Sequence, residues 1–451
     1  MVDYDVIVIG SGLGGLSSAT QLAHKGLRTI VFEGSDHIGG CCSTVEKDGY
    51  KFDVGASIVE FNDVIDEFFA SVGRKTSDYI DFVPIDPVYA FVNDKGERFR
   101  YPVSVEETRK VIEQISPKDA PNWDRFAKVG ELLVGNAFGK MMTRPAQTFT
   151  EAAKALGIDL SRKKGGSGGG GGVPGELSKN GAFMIRSFES VLSSFFEDPE
   201  VIASMSLQSY FVGLPPALCP GYVAFVAYSE HHGVTYPKGG MISIPNGIAR
   251  AFEEEGGTIE LNTQVKQILV ENGKAIGVQL ADGREVRAHL VVANVNAKTV
   301  YGKLVDRKHM PWWSRVAIDS YDYSQAATMV MLGLDAKPDL DAHHTFCYTP
   351  MQKMNDVWFD DYLNGRPPDG GYMLVSWPTA SDPTLAPEGH HILNLVTVAP
   401  YHLENGEDWD DRKERHLEDI IDQMERQFRL DLRKNIQVAE LITPKDFERN
   451  L

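Results

Sequence analysis

Two periods of hydrophobic spacing run through the chain, and their alternation predicts its elements. Asp5–Ile9 (DVIVI) is a continuous apolar run of the kind buried on both faces of a parallel sheet. Leu16, Ala19, Leu22 and Ala23 then recur at helical spacing, and Gly26 stops that helix. Arg28–Glu33 (RTIVFE) reads as the next strand, completing one βαβ unit. Between Pro87 and Pro102 the segment alternates as a hairpin turning at Asn93–Gly96, which breaks the α/β rhythm and marks a second lobe. From Thr258 the chain becomes β-rich, turns at Asp282–Gly283 and returns through Leu290–Ala293 to the first lobe. Leu417, Ile420, Ile421, Met424 and Phe428 make the stripe of an amphipathic helix packed on a surface.

The fold class expected is α/β: residues 1–82, 234–304 and 433–451 form a Rossmann-like lobe, and residues 83–233 with 305–432 form a second, α+β lobe. Ser161–Gly175 (SRKKGGSGGGGGVPG) has flexible-linker composition with no capacity for a packed core, whether as natural low complexity or as a replacement for a loop.

The first strand runs directly into Gly10-Ser11-Gly12-Leu13-Gly14-Gly15, which satisfies G-x-G-x-x-G at Gly10, Gly12 and Gly15. Gly10 allows the tight turn, Gly12 lets backbone approach a pyrophosphate, and Gly15 lets helix and strand pack closely. Phosphates would meet the helix N-terminus, where unpaired N–H groups and the positive end of the dipole converge. Glu33 ends the second strand, where a carboxylate accepts hydrogen bonds from ribose hydroxyls. That acid repels the 2′-phosphate of NADP, and leaves FAD and NAD.

Composition narrows the classes. With 45 Lys+Arg against 63 Asp+Glu, the net charge of −18 argues against nucleic acid as a partner. Four cysteines (Cys41, Cys42, Cys219, Cys347) do not make a disulfide framework or a metal site and fit a reducing compartment. The start lacks the pattern of a secretory signal, and no apolar run approaches the ~18 residues of a bilayer span. A cytoplasmic protein is expected, with any membrane contact peripheral.

Beyond Glu33, Gly39-Gly40 and the stretch Gly49-Tyr50-Lys51-Phe52-Asp53-Val54-Gly55-Ala56-Ser57 resemble the flavoprotein superfamily of phytoene desaturases, prolycopene isomerases, retinol saturases and amine oxidases. The stretch Phe52–Ser57 most resembles the desaturase and isomerase branch. Tyr236-Pro237-Lys238-Gly239-Gly240-Met241 resembles that family's Pro-x-Gly-Gly turn, and Thr263-Gln264-Val265 its adenine-contacting strand. The resemblance spans most of the chain and implies FAD as cofactor. It implies Gly39 and Gly40 passing close to the cofactor, Gly55, Ala56 and Ser57 beside the flavin, and Val265 near adenine. It also implies an apolar isoprenoid or polyene substrate, which is desaturated, isomerised or saturated by hydride exchange with flavin N5. The residues do not choose among those three reactions. An amine-oxidase-like enzyme on a smaller substrate and a prenyl-binding protein like the Rab GDP-dissociation inhibitors are the alternatives.

The chain departs from the family pattern in two places. Cys41-Cys42-Ser43 stands where many relatives carry Arg after the glycine pair, and the two cysteines read as small packing residues rather than a redox pair. Relatives also close on a Gly/Pro-rich flavin-contacting segment, whereas this sequence stops near Thr443–Arg449, so a truncated chain with weakened FAD binding is expected. Gly170–Gly175 resembles that segment but falls in the glycine tract.

No catalytic acid or base stands out, and a hydride transfer carried by the cofactor requires none. His231-His232 and His343-His344 read as surface or core histidines with no metal-ligand spacing, and Asp53 as structural. The second lobe is rich in aromatic residues (Phe188, Phe195, Phe196, Tyr210, Phe211, Tyr222, Phe225, Tyr228, Trp312, Trp313, Tyr323), most expected in the core and some in an apolar tunnel.

Overall fold

The computed structural model describes residues 2–134, 183, 186–321 and 323–450. The Ser161–Gly175 run and its Gly170–Gly175 piece lie outside these residues.

The first sheet has six strands in the order Val265–Glu271, Lys274–Leu280, Glu285–Ala293, Tyr4–Ile9, Thr29–Phe32, Thr258–Glu260. Tyr4–Ile9 is central and parallel to both neighbours. Its alternate side chains enter different cores: Ile7 and Ile9 join Ile30, Phe32 and Val278 on one face, and Val6 and Val8 join Ala19, Val31 and Phe252 on the other. Each such side chain contributes roughly 1.5–3 kcal/mol of burial, which is why the run carries no polar residue after Asp5. The helices Leu13–His24 and Ser243–Glu254 pack against each other beside this sheet. The β-rich stretch from Thr258 adds Val265–Glu271 and Lys274–Leu280 as antiparallel strands, and the Asp282–Gly283 turn joins the latter to Glu285–Ala293, with Gly283 N donating to Leu280 O.

The second sheet has seven strands in the order Ile436–Ile442, Ala326–Leu334, His391–Ala399, Tyr372–Ser376, His344–Tyr348, Tyr89–Asn93, Arg98–Tyr101. Tyr89–Asn93 and Arg98–Tyr101 are the hairpin expected between Pro87 and Pro102, closed by Gly96 N donating to Asn93 O at 2.9 Å. One face of the sheet (Val330, Leu332, Val375, Leu395) packs on the helix Trp409–Gln427 through Ile420, Ile421 and Met424. The other face (Met329, Met331, Leu374) turns toward the largest core cluster.

Three boundaries differ from the sequence division. The sequence pattern assigns residues 433–451 to the first lobe, but Ile436–Ile442 pairs antiparallel with Ala326–Leu334 in the second sheet, with Gly333 opposite Val438. An edge strand shows the same alternation whichever sheet it joins, so its pattern does not name its partner. The boundaries at 82/83 and 233/234 fall on a two-stranded ribbon, Phe82–Ile85 with Val234–Pro237.

Candidate active site

Gly10 leaves the first strand with φ +94°, a left-handed turn open to glycine, and a Cβ there would stand 3.0 Å from Asn294 O. A Cβ on Gly15 would meet Gly10 O at 2.0 Å, so helix and strand touch only because Gly15 has none. Gly12 differs: its nearest protein atom would be 3.9 Å away, which leaves room above the loop. The helix Leu13–His24 begins there with no side-chain cap and no acid in its first turn, so its first N–H groups and the positive end of its dipole face that room.

Glu33 ties the loop to the second strand. Its Oε2 accepts from Ser11 N (2.8 Å) and Ser11 Oγ (2.6 Å), and its Oε1 accepts from Ser35 N and Oγ (both 3.0 Å). Burial pushes this carboxyl up, but the four hydrogen bonds outweigh burial and hold it below the ordinary value. Thr263 N donates to Glu33 O at 2.7 Å, which brings Val265 and its neighbours to the same corner. Gly39 N donates to Ser11 O at 3.1 Å, and a Cβ on Gly40 would lie 3.4 Å from Gly12 Cα. The structure therefore gathers Gly10–Gly15, Glu33, Gly39, Gly40 and Val265 at one end of the sheet. Asn294, which follows the strand parallel to the first, belongs to this group and was missed. A Cβ on Gly14 would be 2.7 Å from Asn294 Nδ2, a closeness that sheet order creates and sequence separation hides.

Cys42–Lys47 and Tyr50–Gly55 form a hairpin leading from the glycine corner to Gly55, Ala56 and Ser57. Gly55 has φ +90°, and a Cβ there would strike Cys41 O at 2.4 Å. All four cysteines are free; Cys42 is buried, with its thiol pushed up to about 12 by that burial, and Cys41 is exposed.

Gly55–Ser57 line a cavity of about 360 Å³. The second sheet supplies one wall as two rows across its strands, Leu374, Val396 and Met329 in register, then Ser376 opposite Asn394. Phe211, Val212, Val223 and Val226 come from the helical segments 207–211 and 221–232 and their junctions. Glu60 and Gln208 are polar residues in this apolar lining.

Burial pushes the Glu60 carboxyl up to about 7 against its bond with Ser229 Oγ (3.1 Å). Burial, then the neighbouring Glu60, raises Glu230 well above the carboxylate range, and Gln208 Nε2 donates to its Oε1. Asp53 is pushed up to about 6 by burial, while both its oxygens accept hydrogen bonds, from Tyr236 OH and Met241 N. His343 and His344 are core residues held below the usual imidazole range by burial, and His344 Nε2 lies 3.0 Å from Ser57 O. His231 is partly buried against Tyr101 and Val103, and His232 is exposed. Glu60, Glu230 and Gln208 were not singled out from the sequence. The signal was there as lone carboxylates in the apolar runs Ser57–Phe61 and Tyr222–His231.

Of the aromatic residues named above, Phe188, Phe195, Phe196 and Phe225 are core, Phe211 lines the cavity, and Trp312, Trp313 and Tyr323 are exposed.

Residues 13–449 match the family described as flavin containing amine oxidoreductase. The chain is 26% identical to the lycopene-forming phytoene desaturase of Pseudescherichia vulneris, over 99% of this chain and 86% of that one. It is 29% identical to the chloroplastic prolycopene isomerase of Daucus carota, over 100% of this chain and 70% of that one. The fold resembles an oxidoreductase from Methanosarcina mazei, with a TM-score of 0.63 at 18% identity, covering 97% of this chain and 87% of that one. The chain belongs to the flavin-containing amine oxidoreductase family and is an FAD-dependent oxidoreductase.

Proposed function

We propose that this enzyme desaturates, isomerises or saturates an apolar isoprenoid polyene of carotenoid type, held in the cavity that Gly55–Ser57 share with the second sheet. The observation that carries this reading is the cavity lining: eight apolar side chains converge on the glycine-containing stretch that most resembles the desaturase and isomerase branch. The similarity to a phytoene desaturase and a prolycopene isomerase supports the substrate class.

The residues fit FAD. The space left by Gly12 and the uncapped helix N-terminus suit a pyrophosphate, and Glu33 suits a ribose. Gly39 and Gly40 would let backbone pass near the cofactor, and Val265, at the same corner as Glu33, suits its adenine end. Asn394 Oδ1 is buried on the cavity wall without a hydrogen-bond donor among the described residues, an acceptor available to an N–H of a bound group. In this arrangement FAD supplies the hydride chemistry. The protein aligns the carbon chain along the Leu374–Val396–Met329 row and excludes water from it.

Contact with a membrane surface belongs to the same reading. No helix among the described residues is long and apolar enough to cross a membrane. Trp312 and Trp313 are 75% and 61% exposed on the helix Trp312–Ser320, and Tyr323 and Val316 are exposed with them. This patch leads to Gln325, whose N donates to Gly213 O beside Phe211 and Val212, two cavity-lining residues that also reach the surface. Amphipathic aromatic rings favour the headgroup level of a bilayer, from which a polyene would enter.

The test is incubation of the FAD-loaded protein with phytoene and with prolycopene in phosphatidylcholine liposomes, followed by product spectra. A changed polyene chromophore is expected. Both polyenes unchanged, with flavin bound, would overturn the substrate class.

A further inference from the structure

Among the residues lining the cavity, Glu60 lies three positions after Ser57, beyond the end of the strand Tyr50–Gly55. Ser229 Oγ bonds its Oε2 at 3.1 Å, while its Oε1 accepts no hydrogen bond from the described residues. Ser229 is followed in the chain by Glu230, whose Oε1 accepts from Gln208 Nε2, and Gln208 lines the cavity beside Glu60. Ser229, Glu230 and Gln208 are all buried. An apolar chamber thus has one carboxyl in its lining with a free oxygen, backed by a hydrogen-bonded polar cluster.

We propose that Glu60 exchanges a proton with the carbon chain of the substrate, and that Ser229, Glu230 and Gln208 position it for that exchange. This rests on the polyene reading above. In a desaturation two neighbouring C–H bonds break. One hydrogen leaves with its electron pair as a hydride to oxidised flavin. The other leaves as a proton to Glu60 Oε1, and its bonding pair becomes the new C=C bond. Saturation runs the same exchange backwards, with the Glu60 carboxyl giving its proton to carbon.

The titratable groups around Glu60 suit the task. Tyr89, Tyr101 and Glu230 feel its charge, and Asp53 lines the same cavity. Burial raises the two phenols and Glu230 above their ordinary ranges and raises Glu60 to about 7, while the oxygens of Asp53 are both taken by Tyr236 and Met241.

The experiment compares FAD-loaded wild type, Glu60→Gln and Glu60→Asp on phytoene and prolycopene in phosphatidylcholine liposomes. Conversion is followed from about pH 5.5 to about pH 8.5, and polyene binding by quenching of tryptophan fluorescence. Wild-type conversion of phytoene is expected to rise through an ionisation near neutral pH. Glu60→Gln is expected to bind polyene with affinity within about twofold of wild type and to convert it about 100-fold more slowly. Glu60→Asp should recover part of the rate with a displaced pH midpoint. A Glu60→Gln variant with the wild-type rate and profile overturns the proposal while leaving the polyene reading standing. So does one that loses binding in step with rate. A wild type that converts neither polyene overturns the polyene reading, and the proton role falls with it.

Discussion

The phenolic hydroxyl of Tyr236 donates to Asp53 Oδ2 at 2.5 Å, and both residues are buried. Met241 N donates to the other oxygen at 2.7 Å, so one carboxylate joins the hairpin that ends at Gly55 to the Gly239–Gly240 turn. A Cβ on Gly240 would lie 2.9 Å from Asp53 Oδ1, so the turn closes on that oxygen because residue 240 has no side chain.

This clasp predicts a pH signature in stability. Burial raises the Asp53 carboxyl in the folded protein from 3.8 to about 6, so the native state holds a proton that the unfolded chain releases. Its contribution is fully present below the unfolded value and is lost as pH rises through about 6. Asp53→Asn should cost about 1–3 kcal/mol at low pH, from an amide nitrogen facing a donor. That deficit should shrink by an amount on the order of 2–3 kcal/mol toward neutral pH. Urea unfolding of both proteins at about pH 4.5 and about pH 7 measures it, and equal deficits at the two pH values would count against the assignment.

Gly12 and Gly15 should part company on substitution to alanine. Gly15→Ala places a Cβ 2.0 Å from Gly10 O and should disrupt the helix–strand contact, with loss of folded protein or about 3 kcal/mol or more of stability. Gly12→Ala meets no protein atom closer than 3.9 Å and should fold with stability within about 1 kcal/mol of wild type, yet bind FAD at least about tenfold more weakly. Flavin fluorescence titration alongside thermal melts separates the two effects.

Glu33→Gln replaces an oxygen that accepts two hydrogen bonds by a group that donates. Either Ser11 or Ser35 then loses its acceptor, at about 1–3 kcal/mol, and FAD affinity should fall with it. Because the folded value is depressed, the wild-type advantage exists above the unfolded value of 4.5 and disappears as pH falls through the folded one. Thermal melts across acid pH check the direction.

Trp312→Ser combined with Trp313→Ser should reduce co-sedimentation with phosphatidylcholine liposomes while leaving the melting temperature nearly unchanged, since both rings already face solvent. A double variant that sediments like wild type would remove this helix from the membrane-facing surface.

Much of the architecture was legible because it depends on local order. DVIVI, the spacing of Leu16, Ala19 and Ala23, and the Asn93–Gly96 turn each declare a period or a turn chemistry within a few residues. The glycine loop was legible for the same reason: strand, turn and helix are consecutive, so their joint geometry follows from neighbours in the chain. The strand Ile436–Ile442 was placed in the wrong lobe because its alternation specifies a buried face and not the partner across its edge.

The cavity was not legible. Its lining joins Gly55–Ser57, Gln208, Val223 and the Leu374–Val396–Met329 row, residues brought together by strand order and register in a second sheet. The same holds for its electrostatics. Glu60 is an ordinary carboxylate in the sequence and becomes a group near 7 only when packing removes its water. Periodicity and turn residues follow from bonds and sterics within a few positions, and they set the Rossmann unit and its glycines. Desolvation and convergence are properties of atoms far apart in the chain, so the chamber and the state of its carboxyl belong to the tertiary structure alone.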